Sequence, residues 1–82
     1  MSKVKPTFAS QNYVSGQQVR FKIYNDVGHL ILNQFAHEWD STGVYFLDLN
    51  LNFCGNKTYL VIAEESNGSW KASKLLTQND VI

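Results

Sequence analysis

Apolar and polar positions alternate most clearly in the second half of the run from Trp39 to Leu51. Tyr45, Leu47, Leu49 and Leu51 fall on one side, and Val44, Phe46, Asp48 and Asn50 on the other. A period of two in aromatic and branched residues predicts a strand with one buried face. Val44 and Phe46 are apolar where a solvated face would be polar. The start of this strand is therefore expected to meet apolar neighbours on both sides.

The same period recurs along the chain. Val19, Phe21 and Ile23 alternate with Arg20, Lys22 and Tyr24, predicting an amphipathic strand over 19–25. Gly28, free to take a positive φ, then allows a reversal into a return strand over 29–35. Leu30, Leu32 and Phe35 are its expected buried set. Tyr59, Val61 and Ala63 stand opposite Leu60 and Ile62 in a strand over 58–65. Asn67-Gly68 predicts a two-residue type I′ hairpin, because both residues tolerate positive φ. It leads into a last strand in which Trp70, Ala72 and Lys74 alternate with Lys71, Ser73 and Leu75. Thr7 to Val14 reads as a short first edge strand anchored by Phe8 and Tyr13. Cys54 to Lys57 reads as a reversal pairing the strands on either side of it.

Six or seven short strands with turn signals between them and no helical period predict an all-β fold. Bulky inward faces favour a two-sheet antiparallel β-sandwich over a small barrel, without a disulfide. The domain is expected over residues 7–77, with a flexible arm over 1–6 and a tail over 78–82. Val81 and Ile82 are candidates to dock on a partner.

Composition narrows the function. Seven basic residues balance seven acidic ones, which argues against nucleic acid and against an anionic membrane as partners. The single cysteine, Cys54, excludes an intrachain disulfide and favours a reducing compartment. No apolar leader stands at the start, so synthesis in the cytoplasm without secretion by a signal peptide is expected, with a virus particle as one destination. The 82 residues, 44% of them hydrophobic, suffice for one modest core without metal or cofactor.

Candidate chemistry is sparse. His29 and His37 lack the close ligand spacing of a zinc site. Cys54 with Lys57 nearby lacks a sequence partner that would make it a nucleophile. Glu64 and Glu65 are neighbours on a strand and point to opposite faces, so they form no acid–base pair. Asn56-Lys57-Thr58 and Asn67-Gly68-Ser69 fit the glycosylation pattern but read as turns. Catalytic and metal-binding residues are not expected, and the chain reads as a non-enzyme.

What stands out is a surplus of apolar residues facing outward. Val44 and Phe46, with Leu60 and Ile62 on the next strand, would lie together if the two strands paired through the Cys54–Lys57 turn. A monomer seldom shows water so large an apolar patch. Val44, Phe46, Leu60, Ile62, Trp39 and Tyr24 are therefore the candidate partner-binding residues, for another protein or for further copies of the chain. Trp39 and Trp70 offer an alternative, as stacking platforms for a carbohydrate or other ligand.

Three segments carry a resemblance. Gly16 to Gly28 with its Val-Arg-Phe-Lys-Ile-Tyr core, Gly43 to Leu49, and Thr58 to Glu65 resemble strands of immunoglobulin-like and transthyretin-like β-sandwich modules. The chain looks most like the small stand-alone modules of this kind in tailed-phage virions. The resemblance implies a head-decoration or tail-accessory protein acting through protein–protein contacts, and assigns no site residue.

Overall fold

The structure, a computed structural model, describes residues 2–82. Among the described residues nine strands form: β1 (Ser2–Val4), β2 (Thr7–Ala9), β3 (Val19–Tyr24), β4 (Leu30–Phe35), β5 (His37–Glu38), β6 (Val44–Phe46), β7 (Leu49–Leu51), β8 (Tyr59–Glu65) and β9 (Lys71–Leu76). Single 3₁₀ turns occur at Gln11–Tyr13 and Gln78–Asp80. The strands pair antiparallel in three sheets, ordered β4-β3-β8-β9, β2-β6-β5 and β1-β7. The all-β, antiparallel expectation holds, with more and shorter strands divided among three sheets.

The four-stranded sheet is two hairpins side by side, β3–β4 and β8–β9, joined by β3 against β8. Both turns use one recipe. Gly28 N–H donates to the Asn25 carbonyl and Gly68 N–H to the Glu65 carbonyl, with both glycines at positive φ. Asn25 Oδ1 accepts from Val27 N–H, and Glu65 Oε2 from Asn67 N–H. The Asn67-Gly68 hairpin is thus not the two-residue type I′ turn expected, since only Gly68 is at positive φ. The acceptor side chain ahead of each turn favours a longer loop, closed by a glycine.

The two smaller sheets share one register. Thr7 opposes Phe46 and Val4 opposes Leu49, and between them Leu47 N–H donates to the Pro6 carbonyl. Inward side chains of all three sheets meet in one core, where the Phe8 ring on β2 stands edge-on to Phe21 on β3 at 5.3 Å. Ile23, Val61 and Ala63 from the large sheet join Tyr45, Leu47 and Leu51 from the small ones. Phe53 and Tyr59, edge-on at 5.3 Å, fill one end.

That last pair explains the main departure in topology. Residues 52–58 carry the chain from β7 across the core to β8, with Phe53 buried on the way and Tyr59 OH donating to the Asn52 carbonyl at 2.7 Å. Cys54–Lys57 is therefore a crossover, and β8 pairs with β3 and β9 rather than with β7.

The ends also differ from expectation. Ser2–Val4, placed in the flexible arm, pairs with Leu49–Leu51 and buries Val4. In the tail, Asp80 Oδ2 accepts from Thr77 N–H, Thr77 Oγ1 accepts from Asn79 N–H, and Val81 packs on the core. Ile82 N–H donates to the Lys3 carbonyl. Tyr13, expected as an anchor of the first strand, is exposed because the chain leaves β2 at Ala9. Leu30 and Phe35, expected buried, are each 48% exposed, since β4 is an edge and only Leu32 reaches the core.

Gly43 sets how closely two loops approach. It is buried with φ +76, and a Cβ there would overlap the Tyr13 backbone. Its carbonyl accepts from Ser10 N–H. Gly43→Ala must therefore strain its own backbone and displace the loop over 10–14. A loss of at least about 2 kcal/mol is expected in urea unfolding, whereas Gly16→Ala, facing open space, should lose only the cost of a positive φ.

Candidate functional site

The six candidate contact residues divide evenly between two faces. Val44, Phe46 and Trp39 lie on the outer side of the β2-β6-β5 sheet, because Tyr45 between them points into the core. Tyr24, Leu60 and Ile62 lie on the outer side of the four-stranded sheet, because Ile23, Val61 and Ala63 point inward. The single patch expected from a Cys54–Lys57 hairpin does not form. The crossover puts Val44 and Phe46 on the opposite side of the core from Leu60 and Ile62.

The first face is aromatic. Trp39 stands edge-on to Phe46 at 5.1 Å, and the His37 ring lies 5.8 Å from Phe46 on the other side. Lys5 Nζ sits 5.1 Å from the Trp39 ring and 5.3 Å from Phe46, with Asp48 at 3.6 Å. Trp39 is held in place yet remains 50% exposed. The contributions of His37 and Lys5 were hidden in sequence, since one reads as a loop residue and the other as part of an arm. Only the register Thr7–Phe46–His37 brings them together.

The second face is banded. Leu30 opposes Tyr24, Tyr24 opposes Leu60, and Leu60 opposes Leu75, so one apolar row crosses all four strands. Cross-strand neighbours of this kind lie within side-chain reach. Ile62 sits in the next row between Lys22 and Ser73. Beyond it, Phe35, Arg20, Glu64 and Lys71 form a charged row. Glu64 pairs with Lys22 at 2.8 Å and Lys71 at 3.5 Å, while Arg20 lies 4.3 Å over Phe35 and donates to Asn33 Oδ1. The hydrogen bond from Lys22 lowers the Glu64 pKa and raises that of Lys22. These charges are largely satisfied between this row and the one beside it.

At one end, two strained loops meet. Asn12 and Tyr13 have φ of 61° and 52°, and Asp40 and Ser41 have 44° and 56°. Glu38 fastens them: Oε1 accepts from Gly16 N–H at 3.0 Å and Oε2 from Gly43 N–H at 2.9 Å. Tyr45 OH adds a second fastening, donating to the Val14 carbonyl and accepting from Gln17 N–H. Strain of this kind persists only where surrounding bonds determine it. Its effect here is to hold Trp39 beside Phe46 and to present Tyr13.

The remaining candidates stay apart. His29 lies at the β3–β4 turn and Cys54 is exposed in the crossover. No group of three or more His, Cys, Asp and Glu side chains is gathered among the described residues. Glu64 and Glu65 do point to opposite faces, Glu65 being buried. Trp70 is half-buried, with its indole N–H donating to Gln17 Oε1.

Glu38 gives a pH dependence. Donors from Gly16 first, then Gly43 and the Ser15 side chain, lower its pKa from the ordinary 4.5. The folded carboxyl thus titrates below the unfolded one. Its stabilisation is complete above the unfolded value and is lost as pH falls through the folded value. The stability difference between wild type and Glu38→Gln, from urea midpoints, should therefore shrink between about pH 6 and about pH 3. A difference independent of pH would contradict this role.

No protein-family model, curated protein or solved structure matches the chain, so the use of these faces is read from their own chemistry.

Proposed function

We propose that the chain is a non-enzymatic interaction module whose outer faces are covered by protein. One observation carries this reading: both outer faces hold apolar side chains open to water although the core between them is already filled. Trp39, Leu30 and Leu75 are about half exposed or more, and Trp and Tyr suit the centres of protein contacts. Zero net charge fits a partner bound by shape and apolar contact.

The common register of the two smaller sheets supports reading them as one bent layer, and the fold as an immunoglobulin-like two-sheet sandwich. The resemblance to phage modules then gives a specific setting, a virion head or tail accessory protein. Two apolar faces on opposite sides of one domain suit a subunit wedged between neighbours in a repeating assembly.

A second reading rests on Trp39 alone. Its half-open ring beside Lys5 is a platform on which a sugar ring can stack, whereas Trp70 is tied to Gln17.

Sedimentation velocity at micromolar concentration, alone and with purified virus particles, discriminates the two. Association with copies or with particles is expected, weakened at least about tenfold by Phe46→Lys or Leu60→Lys. A chain that stays single, binds no particle and answers a glycan panel with quenched tryptophan fluorescence would replace the first reading with the second.

A further inference from the structure

We propose that the open edge of β4 is a self-pairing site. There a second copy of this chain adds its own β4 antiparallel, joining two four-stranded sheets into one. The inference rests on the reading of the chain as a protein-binding module, and it names one partner and the contact used.

The backbone sets the requirement. Ala36 N–H donates to the Val19 carbonyl at 2.8 Å, so Ala36 turns its backbone toward β3. Alternation along an antiparallel ladder then turns Gln34 and Leu32 toward β3, and Phe35 and Asn33 away from it. No strand lies on that far side among the described residues. The N–H and C=O groups of Asn33 and Phe35 thus form an open template that another strand completes.

Natural edges are normally blunted by lysine, proline or inward charge. The opposite edge, β9, follows this rule with Lys71 and Lys74, and Lys74 Nζ reaches the Thr7 carbonyl at 2.9 Å. From Val27 to His37 the chain has no Asp, Glu, Lys, Arg or Pro. The register shift near Ile23 and Tyr24 is the one irregularity, and it leaves Leu32 to Phe35 in regular register.

The order of side chains makes a second copy the fitting occupant. Leu30 and Ile31 stand at one end of β4, Asn33 and Gln34 in the middle, and Phe35 at the other end. With a two-fold axis at Asn33, Asn33 faces its own image and Leu32 faces Gln34. Phe35 then comes beside the Leu30–Ile31 segment. Three apolar side chains that are each nearly half exposed thereby cover one another. Formal net charge is zero, so two copies meet without general repulsion. Arg20, one strand in, is already held by Asn33 and Phe35. The seam is short, which places the dimer in the weak class below ~1,200 Å² of buried surface.

Sedimentation equilibrium across micromolar concentrations, with amide exchange of Asn33 and Phe35, tests the proposal. Wild type should dimerise, with both amides slowing as concentration rises. Asn33→Lys sets like charges opposite each other, and Asn33→Pro removes an N–H that points away from β3. Each should weaken pairing at least about tenfold, with circular dichroism retained. An equimolar mixture of Asn33→Lys and Asn33→Asp chains should recover it. A wild type that stays single, amides indifferent to concentration, or association abolished by Phe46→Lys but untouched by both Asn33 variants would each overturn β4 pairing. The last result, or particle binding by a single chain, would leave the broader reading in place.

Discussion

Every strand has two faces, and a single core can cover only one of them. This chain spends its inward positions fully: Phe21, Ile23, Val61 and Ala63 from one side meet Phe8, Tyr45 and Leu47 from the other, with almost no exposed surface left. Among the described residues, every buried side-chain nitrogen and oxygen has a hydrogen-bond partner. What remains apolar on the outward positions has no role inside. The sheets determine where it goes, an aromatic cluster around Phe46 on one face and a cross-strand row from Leu30 to Leu75 on the other.

The loops follow from the same core. Tyr45 is 1% exposed, yet its hydroxyl reaches far enough to bind Val14 and Gln17. Glu38, on the strand beside it, binds the backbone of Gly16 and Gly43. Together they hold two segments with positive φ against each other. Both side chains fix the direction in which Trp39 and Tyr13 leave the surface, so the shape of the aromatic face depends on residues outside it.

Much of the fold was legible in sequence because its longest strands alternate cleanly. Val19–Tyr24 and Tyr59–Glu65 have the buried faces their patterns imply, and Gly28 sits at the positive φ expected of it. Less could be read where strands are short. Lys3 and Lys5 made Ser2–Val4 look like an arm, although Val4 is buried and the segment pairs with Leu49–Leu51. Cys54-Gly55-Asn56 carries turn residues whether it closes a hairpin or spans two layers. The pairing of β8 with β3 decides between these, and that pairing is a tertiary fact. That one choice moved the candidate contact residues from a single patch to two opposite faces. Phe46 and Leu60 could be inferred as outward residues from alternation and Trp39 as a loop residue, whereas their neighbours Lys5, His37 and Leu75 depend on register.

If the chain works as an interaction module, its outward apolar side chains are open in the lone chain and closed in the assembly. Covalent footprinting of side chains, on dilute chain and on its assembly, measures this residue by residue. Trp39 on one face and Leu30 and Leu75 on the other should label readily when dilute, with at least one of the two faces shielded on assembly, while Phe21 and Tyr45 stay unlabelled throughout. Equal labelling of both outer faces in the two states, or labelling of Phe21 and Tyr45 comparable to that of Trp39, would contradict it.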